Sequence, residues 1–90
     1  MAGTATETRG LRSLSDLPSG RTGIVRCLMG GRGFVSRVAA LGFTVGAAVT
    51  VVQNYGRGPL IALVRDTRVA LGRREASKVL VETVTNDRYD

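Results

Sequence analysis

The sequence predicts a mainly β chain: a small, partly open barrel of about five short strands, with one short helix inserted after the first strand. Three observations carry that prediction. Glycine is abundant and scattered, 12 of 90 residues against two prolines, so tight turns punctuate the chain at short intervals. Apolar and β-branched runs, chiefly Val49-Thr50-Val51-Val52 and "LIALV" at 60–64, fall between those turns at strand length. One uncharged stretch, Val38 to Gly56, changes its apolar period midway from helical to extended.

Taken in order, residues 1–12 are small and polar without periodicity and are expected to form a flexible N-terminal tail. A domain over 13–84 follows. "LSDLPSG" places Leu14 and Leu17 beside a proline-glycine turn. "TGIVRCLM" (22–29) is the first strand, with Ile24 and Leu28 on one face and Arg26 between them. "GGRG" is a loop leading into a helix over about 34–41, whose apolar residues 34, 38 and 41 recur at helical spacing. Gly42 stands at the left-handed stop position, and Thr44-Val45-Gly46-Ala47 fits a turn with glycine third. Strands are then expected at about 47–54, 60–64, 68–72 and 79–84, with one helical turn near 73–78 and a frayed end over 85–90.

The uncharged stretch is not a membrane span. A crossing helix needs roughly 20 mainly apolar residues. This stretch reaches that length only by including Gln53, Asn54 and Tyr55, and glycines at 42 and 46 interrupt it. A helix, a turn and a strand account for it. The opening segment also lacks the apolar core of a secretory signal, so a cytoplasmic setting is expected, without membrane insertion.

The chain has no histidine and one cysteine, Cys27, which rules out an internal disulfide and any Cys/His metal cluster. No histidine can serve as a general base, and the acids stand singly along the chain, so no enzyme site is expected. No cofactor or resident metal is expected either. "GGRGFVSR" invites a phosphate-binding reading, but Ser36 occupies the last glycine position of the dinucleotide pattern, and the Gly-Lys-Ser/Thr ending of a P-loop is missing. The net charge of +6 favours an acidic partner. Nucleic acid is the weaker choice, because only four aromatics exist. Phe34 and Phe43 fit the core, and Tyr55 and Tyr89 lie on a hairpin tip and in the tail, a poor stacking platform.

Alternation supplies one surface expectation. If Leu60, Ala62 and Val64 face the core, Ile61 and Leu63 face outward, as does Leu80 between Val79 and Val81. Several outward apolar residues on neighbouring strands would form a patch suited to a partner or to self-association.

Taken together, "LSDLPSGRTGIV", "GGRGFVSRVAALGFTVGAAVTVV" and "GPLIALVRDTRVALGRREASKVLV" resemble the FeoA family of ferrous iron transport proteins over about residues 14–82. The resemblance implies an SH3-like small barrel. It also implies a cytoplasmic accessory role in bacterial ferrous iron uptake, exerted on the membrane transporter FeoB, which carries a cytoplasmic GTPase domain. Two departures stand out. Val45 replaces the family's turn proline, and "SRVAAL" stands where relatives carry adjacent arginines and an acid, leaving Arg37 as the matching basic residue. The expected partner-binding residues are Arg32 and Arg37 for charge and Ile61, Leu63 and Leu80 for contact area. The alternative is a basic small-barrel module that binds nucleic acid or another acidic partner.

Overall fold

The computed structural model describes residues 11–84; the expected frayed end and most of the expected tail lie outside them. Six strands form one antiparallel sheet: β1 (Leu11–Ser13), β2 (Thr22–Leu28), β3 (Ala48–Gln53), β4 (Leu60–Val64), β5 (Thr67–Leu71) and β6 (Val79–Thr83), in the order β1-β6-β2-β3-β4-β5. Helix α1 (Arg32–Ala40) follows β2, and the single turn α2 (Arg73–Ala76) joins β5 to β6. The sheet curls around one core and stays unclosed, because β1 and β5 are its two ends and do not pair.

The sixth strand is the difference from expectation. Leu11 and Ser13 pair with Glu82 and Leu80 on β6, inside and just beyond the segment read as tail. Three residues are too few to show a period of two, and a long-range partner fixes them. The α1 helix therefore follows the second strand rather than the first, and it begins two residues before the expected start, at Arg32.

Fifteen apolar residues from every quarter of the chain meet in one core. Val25, Val49, Val51, Leu60, Ala62, Val64, Leu71, Val79 and Val81 come from the inner face of the sheet, and Phe34 and Val38 from α1. Leu14 and Leu17 enter from a 3-10 turn (Leu14–Asp16) and its exit, both fully buried.

Two bulges steer the faces. Between Val25 and Cys27 the register with β6 shifts, leaving Arg26 as the extra residue. Val25 then pairs with inward Val81 and Leu28 with inward Val79, while Ile24 and Cys27 oppose Glu82 and Leu80 on the outer face. Ile24 and Leu28 therefore lie on opposite faces, contrary to the simple alternation. A second shift between Val51 and Gln53 leaves Val52 unpaired on β3 and 39% exposed.

The helix stop is a Schellman motif. The Phe43 N–H donates to the Val38 carbonyl at 2.9 Å and the Gly42 N–H to the Ala39 carbonyl at 2.9 Å. Gly42 takes a φ of 110°, which only glycine adopts cheaply. The motif turns Phe43 into the core at 0% exposure. Leu41, placed by its spacing on the apolar stripe, becomes the helix C-cap and is 42% exposed. The following turn has the expected form, with Ala47 N–H bonded to the Thr44 carbonyl and Gly46 at a φ of 97°.

Candidate interaction surface

The polar surface of α1 is tied to α2. Arg37 Nη2 donates to Glu75 Oε2 at 2.5 Å, joining residues far apart in sequence. The Arg37 guanidinium lies 5.9 Å and the Lys78 ammonium 5.5 Å from the centre of the Phe34 ring, within cation–π range. One aromatic ring, two cations and one carboxylate thus share a corner of the molecule. Arg32 is exposed and lies five residues from Arg37 on the helix, about 140° around its axis. The two arginines do not converge.

Glu75 is held below its ordinary pKa, chiefly by the Arg37 hydrogen bond, against an opposing push from desolvation, with further help from the Arg37 charge, the Gly72 backbone and Lys78. A carboxyl depressed in the folded state adds stability above its ordinary titration range and loses that contribution as pH falls through the depressed value. Arg37→Gln should therefore raise the Glu75 titration toward the ordinary range and flatten the acid limb of the stability curve. The stability difference is expected to stay under about 1 kcal/mol because the pair is solvated. Carboxyl-detected NMR titration of both proteins checks this, and an unmoved Glu75 titration in the variant would refute it.

On the outer face of β4, Ile61 and Leu63 are both half-buried and neighbour each other on one strand. Leu63 opposes Thr50 and Arg68, and Ile61 opposes Gln53 and Ala70. Leu80 lies elsewhere, between Cys27 and Ser13, with β2 and β3 separating it from β4. The Thr22–Thr50 hydroxyl contact at 2.7 Å and the Arg26–Glu82 ion pair at 2.9 Å occupy the ground between. The three outward apolar residues therefore form a pair and a single, not one patch.

Two surface features escape the sequence reading. Leu41 and Val45, 42% and 65% exposed, present apolar side chains at the end of α1; the glycine-bounded "LGFTVG" is their only signal. At the opposite end, Asn54 is a hydrogen-bond hub. Its side-chain amide donates to the Ser15 carbonyl at 3.0 Å and the Leu17 carbonyl at 2.7 Å, while its oxygen accepts from the Gly56 N–H and from Arg73 Nη2. Arg73 Nε is buried there without a partner. Spacing could not signal this hub, because its members meet only in the folded chain.

Among the described residues no group of three or more His, Cys, Asp or Glu gathers to hold a metal ion. No helix among them is long and apolar enough to cross a membrane.

The FeoA domain family matches residues 12–83. A candidate Fe(2+) transport protein A of Methanocaldococcus jannaschii is 32% identical over 59 residues, which span 66% of this chain and 71% of that one. A crystal structure of an iron uptake regulatory protein, FeoA, superposes with a TM-score of 0.79 at 31% identity, covering 82% of this chain and 99% of that one. Stenotrophomonas maltophilia FeoA, solved with zinc and described as a procaryotic SH3 domain protein, gives 0.65 at 34% identity over 77% of this chain and 87% of its own. A manganese-dependent transcriptional repressor shares the fold alone, with a TM-score of 0.73 at 21% identity over 42% of its length.

Proposed function

The chain belongs to the FeoA family, and from that premise we propose that it is a non-enzymatic accessory of ferrous iron uptake that works in the cytoplasm by binding the GTPase part of a FeoB-type transporter. The observation that carries the reading is the reach of the family match, from residue 12 to 83. It takes in all of the core and both helices, so the activity belongs to the outer surface of this one small barrel. Exposed Arg32 and the Arg37 corner of α1 offer charge, and Ile61 and Leu63 offer contact area, to an acidic and partly apolar protein face. Leu80 would belong to a separate contact. Self-association through the β4 face is the competing use of the same residues.

The test mixes isotope-labelled protein with the isolated transporter GTPase domain, with and without guanine nucleotide. Resonances of α1 and β4 are expected to shift in at least one nucleotide state, and Arg32→Glu should weaken the effect. Unmoved spectra at high micromolar partner in both states would sink the reading. Retention on DNA or RNA that falls steeply with salt would favour the nucleic-acid alternative.

A further inference from the structure

The open end of the sheet at β5 has a polarity and a register that fix what can be added to it. β4 and β5 are joined by a two-residue turn in which Arg65 and Asp66 both take positive φ, 52° and 64°, the pattern of a type I′ hairpin. Val64 and Thr67, which close the turn, are then a hydrogen-bonded pair. Alternation along the ladder makes Ala62–Val69 and Leu60–Leu71 the next such pairs. The main-chain N–H and C=O groups of Arg68 and Ala70 therefore point away from β4. No strand among the described residues meets them, and Thr67, Arg68 and Ala70 are exposed.

The side chains along this edge set the chemistry. Arg68 and Ala70 lie on the outer face opposite Leu63 and Ile61. Arg68 has no ion-pair partner among the described residues. Alanine at 70 leaves the flank of Ile61 uncovered by any larger side chain on the edge strand. Residues 65–74 hold four arginines against the single acid Asp66. Two copies of the chain pairing edge to edge would lay these basic stretches side by side, which like charges oppose.

We propose that the β5 edge accepts an extended acidic segment of another protein as an added strand. The segment bonds to the backbone of Arg68 and Ala70, places a carboxylate against Arg68, and places an apolar side chain two residues away against Ile61. This is strand addition at a sheet edge, in which main-chain bonds supply affinity and alternate side chains supply selectivity. It shares Ile61 with the transporter reading but adds the β5 backbone and Arg68 and does not use α1, so Arg68→Glu tests it while Arg32→Glu tests the GTPase-domain contact.

The test uses the full chain and a blocked seven-residue peptide with glutamate and leucine alternating between threonines. Backbone amide exchange is followed by NMR. In the free protein the Arg68 and Ala70 amides should exchange faster than those of Thr67, Val69 and Leu71. Saturating peptide should slow these two by about tenfold or more, with little change elsewhere. A peptide with lysine in place of glutamate should not, and Arg68→Glu should weaken binding of the acidic peptide roughly fivefold. Ala70→Pro removes an N–H that faces away from β4, so it should keep the fold and abolish the protection. The proposal is overturned if millimolar acidic peptide leaves both amides unprotected, or if the lysine peptide protects them equally. It is equally overturned if protection grows with protein concentration alone, which would assign the edge to a second copy of this chain.

Discussion

Replacing Phe43 with alanine is expected to cost about 3–5 kcal/mol, the range for truncating a buried phenylalanine. Phe43 is fully buried and is delivered to its place by the Schellman turn rather than by a helix or strand. Most of the core it joins sits on α1 and on strands held in one sheet, so it cannot collapse far into the space left behind. Native domains hold a margin of about 5–15 kcal/mol, and one of this length has a thin core. The variant should lose a large part of that margin and unfold at markedly lower temperature than the parent. Urea unfolding followed by circular dichroism checks it: the midpoint should fall while the slope stays constant. Phe43→Leu should lose much less. A loss below about 1 kcal/mol for alanine would mean that the core refills the site.

The second large effect is expected at Asn54. Alanine there removes both donors to the Ser15 and Leu17 carbonyls and takes from Arg73 its acceptor. Arg73 Nε is already buried without a partner, so the guanidinium would keep only the long 3.4 Å bond from Nη1 to the Ser15 carbonyl. Leaving such groups unsatisfied costs about 1–3 kcal/mol, more where a charge is involved. Asn54→Asp separates the two roles. Aspartate offers Arg73 a carboxylate but cannot donate to the carbonyls, and faces them with negative charge instead. Both variants are therefore expected to destabilise, with a melting temperature lowered by about 4–8 °C per kcal/mol for a domain of this size. Full stability in Asn54→Asp would show that the Arg73 contact alone matters.

How much of this was legible in the sequence depends on where each constraint originates. β4 is legible to the residue, 60–64, because a continuous apolar run there meets turn residues on both sides. Gly42 and Gly46 are legible because each is a local backbone requirement. The faces of β2 are not, since the bulge at Arg26 is imposed by pairing with β6. Leu41 shows the limit of periodicity: the spacing of 34, 38 and 41 continues past the point where the chain leaves the helix, and Phe43 takes the buried place. The candidate surface was legible only as residue types. That Ile61 and Leu63 adjoin follows from one strand, but the distance to Leu80 and the Arg37–Glu75 bond are products of topology. The family resemblance carried the overall barrel and could not carry those placements.

Leu14 and Leu17 reach the centre of the molecule on a stretch held by β1, three residues long, on one side, and on the other by the Asn54 contacts, the long Ser13–Ala76 and Arg73–Ser15 bonds and the Gly20 N–H bond to the Val51 carbonyl. β2, β3, β4 and β6 are each flanked by two neighbouring strands. Thermal breathing therefore has a preferred door. The amino-terminal stretch can swing away and admit water to one corner of the interior while those four strands stay shut, so the protein is expected to loosen from its beginning before it melts from its middle.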